Sequence, residues 1–214
     1  MARIPPLPRE DLAEFEPVFQ LLEQQMGFVP NSLLTLGRRP GVLRGFLQLA
    51  LAVYGTPADP PPISPELTRL IAHVASRAAG CRYCQAHTAT EAGRLAGSPE
   101  RVEAVWEFET SPLFTEAERA ALRLAAAAGA VPNGATDEHF QELGRHFSPE
   151  QMTHIMAVIA LFGFLNRWND TLATTLEDEP RHFAQEHLSP QGWELGKHGA
   201  DSNLYDMKRE IRNS

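Results

Sequence analysis

An all-α fold is predicted for this 214-residue chain by three features. Helix-start signals recur along it, apolar residues between them fall three and four apart, and no stretch alternates apolar with polar residues long enough to make a strand. Asp11 with Glu14, Thr115 with Glu118 and Ser148 with Gln151 have capping-box spacing. Ser64-Pro65, Ser98-Pro99, Ser148-Pro149 and Ser189-Pro190 each place a capping hydroxyl before a proline suited to the first helical position. Gly27, Gly80, Gly97 and Gly129 read as stops. Between these marks Phe15, Val18, Phe19 and Leu22 form one apolar face, and Val102, Val105 and Trp106 begin another. Helices are expected near 10–26, 31–37, 40–54, 65–79, 82–96, 99–108, 116–129, 136–146, 149–175 and 180–188.

The length suits a single domain over 1–214. Within it, 1–55 reads as an N-terminal helical part, 56–64 as a proline-rich connector, 65–175 as the core and 176–214 as a C-terminal extension. The connector is stiff because Thr56-Pro57-Ala58-Asp59-Pro60-Pro61-Pro62 forbids a helix. From about Lys197 the chain turns polar and reads as a loosely held tail, with Leu204, Tyr205 and Met207 available to dock on a neighbouring subunit. A weak internal repeat lays Thr68–Thr90 on Thr153–Thr175, which predicts two similar helical hairpins. Cys81 and Cys84 then fall opposite Asn166 and Asn169.

Composition narrows the function. A chain 43% apolar and 21% charged is ordinary for a globular protein, and a net charge of -8 argues against nucleic acid or an anionic membrane as partner. The longest apolar stretch, 155–165, is too short to span a bilayer. The opening Met-Ala-Arg-Ile-Pro-Pro-Leu-Pro lacks the apolar core of a signal peptide, so a cytoplasmic location is expected.

Chemistry concentrates in Gly80-Cys81-Arg82-Tyr83-Cys84-Gln85-Ala86-His87, which holds both cysteines of the chain. Residues three apart share a helical stripe, so Cys81, Cys84 and His87 face one way. A pair so placed can close and reopen a disulfide. The first turn of a helix favours thiolate, and an imidazole one turn along can move the proton. Glu91 follows His87 at helical spacing and can orient it; Glu66 can do so from the preceding helix. Arg69 offers a cation that would favour thiolate or attract an anion, and His73 lies one turn further along the same helix. Tyr83 is expected to pack in or beside the pocket. No organic cofactor is called for. Zinc on Cys81, Cys84 and His87 is an open alternative that lacks a fourth local ligand.

The segment Leu67 to Glu91, LTRLIAHVASRAAGCRYCQAHTATE, resembles the carboxymuconolactone decarboxylase and AhpD-like superfamily, in particular its alkylhydroperoxidase-like, peroxidase-related branch. GFVPNSLLTLGRRPGVLRGF at 27–46 and LFGFLNRWNDTLA at 161–173 extend the likeness. The resemblance implies an AhpD-like helical bundle that forms homo-oligomers. It also implies reduction of peroxides or small disulfides through the CxxC pair, with an external lipoyl or thioredoxin-like dithiol as electron donor. On this reading Cys84 attacks, Cys81 resolves and His87 carries the proton. The rival readings are a disulfide reductase and a redox-sensing or structural protein without turnover. Two departures stand out. The family's glutamate twelve residues before the first cysteine is Arg69 here, and its histidine four after the second cysteine is Thr88.

Overall fold

Ser64 starts the helix on which the rest of the molecule is built. Its hydroxyl accepts the Leu67 N–H at 3.1 Å, and Pro65 occupies the first turn, where a missing N–H costs nothing. The helix that follows, α4 (Pro65–Ala78), buries one long face through Leu67, Leu70, Ile71, Val74 and Ala75. Gly80, at φ +76°, then reverses the chain into α5 (Arg82–Ala96). That left-handed backbone is open to glycine at no steric cost. The computed structural model describes residues 2–199, and its other helices are α1 (Glu16–Met26), α2 (Asn31–Leu36), α3 (Pro40–Tyr54), α6 (Glu100–Ala104), α7 (Glu116–Gly129), α8 (Asp137–Leu143), α9 (Pro149–Leu172) and α10 (Asp178–His187). There is no strand among the described residues, only an isolated bridge between Thr56 and Asp59 within the connector. Nor is any helix among them long and apolar enough to cross a membrane.

The main core lies where α5, α7 and α9 pack on α4. Alanines at 86, 89 and 92 let α5 approach closely, and the same economy brings α7 in. Gly129 works by contact rather than by φ: a Cβ there would sit 2.7 Å from the Ala75 carbonyl oxygen. It is therefore a close-packing glycine and not the left-handed stop that its position suggests. The N-terminal helices gather a smaller core of Leu12, Phe15, Phe19, Leu33, Leu36 and Leu43, joined to the main one through Phe46.

Other expectations are corrected by local physics. The Asp11–Glu14 capping box does not form, because 9–15 is a 3-10 turn broken at Leu12 (φ -120°) and α1 begins only at Glu16. The second helical hairpin of the supposed repeat is absent. α9 runs unbroken through 153–172, because the residue in register with Gly80 is Leu165, which continues a helix. His198 is fully buried; its Nδ1–H donates to the Thr174 carbonyl at 2.7 Å, so the chain is held down past Lys197. Leu204, Tyr205 and Met207 lie outside the described residues.

After α9 the chain makes an uncommon move. Ala173 adopts φ +50°, ψ +45°, a left-handed conformation that costs a non-glycine residue about 1–2 kcal/mol. The Thr174 N–H closes the turn on the Asn169 carbonyl at 3.1 Å. This turn sends 174–177 back towards the start of α5, and it is what brings Glu177 to the CxxC stripe.

Candidate active site

Cys81 is the N-cap of α5: its Sγ accepts the Cys84 N–H at 3.4 Å, in the place where serine or aspartate usually stands. Both thiols are free and buried, Cys81 at 0% and Cys84 at 2% exposure. They differ in outlook. Cys84 forms part of the wall of a cavity of about 250 Å³ between α3, α4, α5 and α9; Cys81 does not. Phe46, Leu47, Ala50, Phe162 and Leu165 make that wall largely apolar, and His87, Tyr83 and Arg69 also reach it.

The expected fall in thiol pKa at the helix start is not what the site does to Cys84. Burial, and then Cys81 beside it, push the Cys84 thiol well above the usual range. The Asn169 amide, donating to Cys84 Sγ at 3.6 Å, opposes this and loses. Desolvation beats the helix dipole because the sulfur lies inside the fold rather than at an open end.

His87 is held by a residue that no local spacing announces. Its Nε2–H donates to Glu177 Oε2 at 2.7 Å, and the Tyr83 hydroxyl donates to the other oxygen, Oε1, at 2.9 Å. The Asn31 N–H donates to the same Oε1 at 2.5 Å. Tyr83 packs at a tilt of 32° against the His87 ring with centroids 4.5 Å apart, and Phe28 meets it edge-on at 5.6 Å. The imidazole is thus fixed in orientation and tautomer, with Nδ1 left without a hydrogen-bond partner among the described residues.

The carboxylates read from the sequence serve elsewhere. Glu66 pairs with Arg101 at 2.7 Å; Glu91 pairs with Arg94 at the cavity rim. Neither bonds to His87, whose orienting carboxylate is Glu177 in their stead. Arg69 places its guanidinium 3.9 Å over the Tyr54 ring, inside the cavity and with no carboxylate partner among the described residues. Asn169, which the repeat set opposite Cys84, does touch its sulfur. Among the described residues no group of three or more His, Cys, Asp or Glu side chains is placed to hold a metal ion.

His73 does not line the cavity. It braces α5 from behind, fully buried, with Nδ1 3.0 Å from both the Gln85 carbonyl and Thr88 Oγ1. Thr88 spends its own proton on the Cys84 carbonyl at 2.7 Å, so Nδ1 carries the hydrogen that both oxygens accept. Burial takes His73 down to about 4 from the ordinary 6.5. A depressed histidine contributes stability that is present above pH 6.5 and lost as pH falls towards 4, since only the unfolded chain then binds the proton. Roughly 3 kcal/mol is expected to go across that window. Urea midpoints at pH 7.5 and 4.5 check this. His73→Gln should lose far less between the two than the parent chain, and equal losses would refute the assignment.

Comparison with known proteins agrees with this architecture. Residues 40–127 match the profile of the Carboxymuconolactone decarboxylase family. The uncharacterized protein YnjA of Escherichia coli K12 is 27% identical over 169 residues, 79% of this chain and 91% of its own length. The apo structure of the debrominase Bmp8 superposes with a TM-score of 0.77 at 40% identity, covering 86% of this chain and 96% of that one. A cysteine-to-alanine variant of Bmp8 in complex with 2,3,4-tribromopyrrole gives 0.78 at 39% identity with the same coverage. A peroxidase-related protein of Ralstonia eutropha JMP134, described as an alkylhydroperoxidase AhpD core, shares the fold with a TM-score of 0.70 at 24% identity, over 83% of this chain and 90% of its own.

Proposed function

Because the chain belongs to the carboxymuconolactone decarboxylase and AhpD-like superfamily, we propose that it is a thiol oxidoreductase in which Cys84 and Cys81 together pass two electrons to a small apolar organic substrate. The observation that carries this is the opening of one cysteine of a CxxC pair into an apolar cavity beside a carboxylate-held histidine. A volume of about 250 Å³ falls just under the usual small-molecule range of about 300–1,000 Å³, so the substrate is compact.

Two substrate classes fit the electron count, and the carbon–halogen bond is favoured. Bmp8 shares 40% of its residues with this chain over 96% of its length. The glutamate that the resemblance associates with peroxide chemistry is Arg69 here. The cavity also offers Asn169 Oδ1, a buried acceptor with no partner among the described residues, to an N–H or O–H on an electron-rich ring. The Cys84 thiolate takes the halogen: an S–X bond forms and the C–X bond breaks. The bonding pair goes to carbon, which receives a proton through His87. Cys81 then attacks the Cys84 sulfur, halide leaves with the pair of the S–X bond, and the disulfide closes. In sum, one organic halide and two thiols give the compound with hydrogen in place of that halogen, a halide ion, a proton and a disulfide. An organic hydroperoxide would instead yield an alcohol and water at the same expense of two thiols. Either cycle needs an outside thiol to reopen the bond. Assembly into homo-oligomers is supported by Val42, Leu49 and Leu51, apolar side chains that α3 leaves exposed.

The test is a thiol count on reduced protein given 2,3,4-tribromopyrrole in one arm and cumene hydroperoxide in the other, with bromide assay and mapping of the Cys81–Cys84 bond. Two thiols lost per bromide released is the expected result. Faster loss with the hydroperoxide would reverse the preference, and survival of both thiols in both arms would overturn the function.

The pH dependence follows from the raised Cys84 thiol. Protonated at neutral pH, it supplies more thiolate as pH rises, so the single-turnover rate should climb about tenfold per pH unit between pH 6 and 9. Rapid-quench bromide release checks this, and a flat profile would mean that the thiolate is already formed at pH 6.

A further inference from the structure

A second cavity, of about 280 Å³, lies on the other side of the CxxC turn, and its chemistry is the reverse of the first. It is bounded by Arg77, Gly80, Arg82, Trp106, Gln191 and Trp193. The Arg77 guanidinium lies 3.8 Å over the Trp106 ring. Arg82 donates to the Gly192 carbonyl at 3.0 Å, and the Trp193 indole N–H donates to the Arg82 carbonyl at 3.1 Å, so the 188–193 segment is pinned across the start of α5. The two arginines are near enough for Arg82, after burial, to depress Arg77. Neither has a carboxylate partner among the described residues, and no acidic side chain lines the cavity. These two cations without carboxylate partners border one cavity, whereas Arg9, Arg94, Arg101 and Arg123 are each held by a carboxylate. The wall also contains Gln191 Oε1, a buried acceptor that lacks a donor among the described residues.

We propose that this cavity binds a small thiol bearing a carboxylate and an N–H, and that this thiol is the reductant that reopens the Cys81–Cys84 disulfide. The carboxylate is taken by Arg77 and Arg82, the N–H by Gln191 Oε1, and the apolar stem lies against the two indoles. Gly80 and Arg82, the neighbours of Cys81 in the chain, both face the cavity, and a Cβ at Gly80 would meet nothing within 4 Å. The backbone of the turn is therefore open on this side, while neither sulfur lines the cavity in the reduced protein. The substrate keeps the apolar side, where Cys84 is. One ligand thiolate attacks the protein disulfide and forms a mixed disulfide, releasing one protein thiolate. A second ligand thiol displaces the other cysteine and leaves as ligand disulfide. Two ligand thiols are oxidised for each protein disulfide reduced. The proposal rests on the redox reading above, and its test is built to fail separately.

Protein oxidised with diamide is reduced by N-acetylcysteine or by N-acetylcysteine amide, which differ only in the charge of one group, and regenerated thiols are counted. Arg77→Gln should cut the rate constant with N-acetylcysteine about tenfold and leave that with the amide within twofold. Raising KCl should slow the wild-type reaction with the acid alone. Independently, N-acetylserine, which carries the carboxylate and no thiol, should quench tryptophan emission saturably in reduced wild type and not in Arg77→Gln; two of the three tryptophans line this cavity. Arg82→Lys repeats both measurements with a cation retained but the guanidinium fork lost. Equal losses with both thiols, or no N-acetylserine binding, would overturn the site. If N-acetylserine binds but diamide closes no Cys81–Cys84 bond, the redox role falls while the anion site stands.

Discussion

Replacing Cys84 with serine is expected to abolish turnover, by at least about a thousandfold, whichever electrophile is supplied. Serine nearly matches cysteine in volume and keeps the helix start intact, since the N-cap sulfur belongs to Cys81. What it removes is the one thiol among the described residues on the wall of the apolar cavity. Cys81→Ser has a different outcome. The first electron pair still moves, because Cys84 still faces the substrate, but no second sulfur is present to displace halide or hydroxide. One equivalent of bromide should appear, the S–X bond should hydrolyse to a sulfenic acid at Cys84, and the reaction should stop there. Dimedone labelling with mass spectrometry distinguishes the two variants. A trapped sulfenic acid at Cys81 in the Cys84→Ser protein would exchange the roles, and the geometry resists that because Cys81 is fully covered and lies off the cavity wall.

What could be read from the chain in advance was whatever short-range physics decides. Ser64, Thr115 and Ser148 each cap a helix with a hydroxyl three residues before the N–H that it accepts, and that spacing is visible in the letters. Cys81, Cys84 and His87 were legible for the same reason, being successive turns of one helix. Two things were not. The thiol pKa depends on whether burial or the helix dipole wins at Cys84, and the depth of a side chain is a property of the packed core. The orienting carboxylate is ninety residues from its histidine and arrives through the left-handed Ala173, where an alanine gives no hint of the glycine-like turn that it makes. Glu91 and Glu66 were the candidates within helical reach, and Arg94 and Arg101 hold them instead. The repeat offered the opposite lesson. Its second hairpin does not exist, yet the register that set Asn169 against Cys84 places together two residues that do touch.

Glu177→Gln is the change expected to matter most after the cysteines, and the reason lies in the donors around it. Oε1 receives the Asn31 N–H and the Tyr83 O–H, so the glutamine must put its carbonyl oxygen there. Its NH2 then faces His87 Nε2 at the position of Oε2, where two donors cannot meet. The imidazole resolves the clash by moving its proton to Nδ1 and accepting at Nε2, which removes the free lone pair on Nδ1 that the native tautomer keeps available. Packing by Phe28 and Tyr83 still holds the ring, so the fold should survive and the substrate should still bind. A loss of about 10- to 100-fold in kcat with little change in KM is expected, the size seen when a partner that orients a histidine is lost. Nitrogen-15 spectra of His87 should show the tautomer exchanged, a signature that a loss of packing alone would not give. Glu91→Gln, which only releases Arg94, should leave kcat within twofold. A Glu177→Gln protein with native kcat and native tautomer would remove His87 from the proton path, and the alkaline rise set by Cys84 would then be the only pH dependence left to explain.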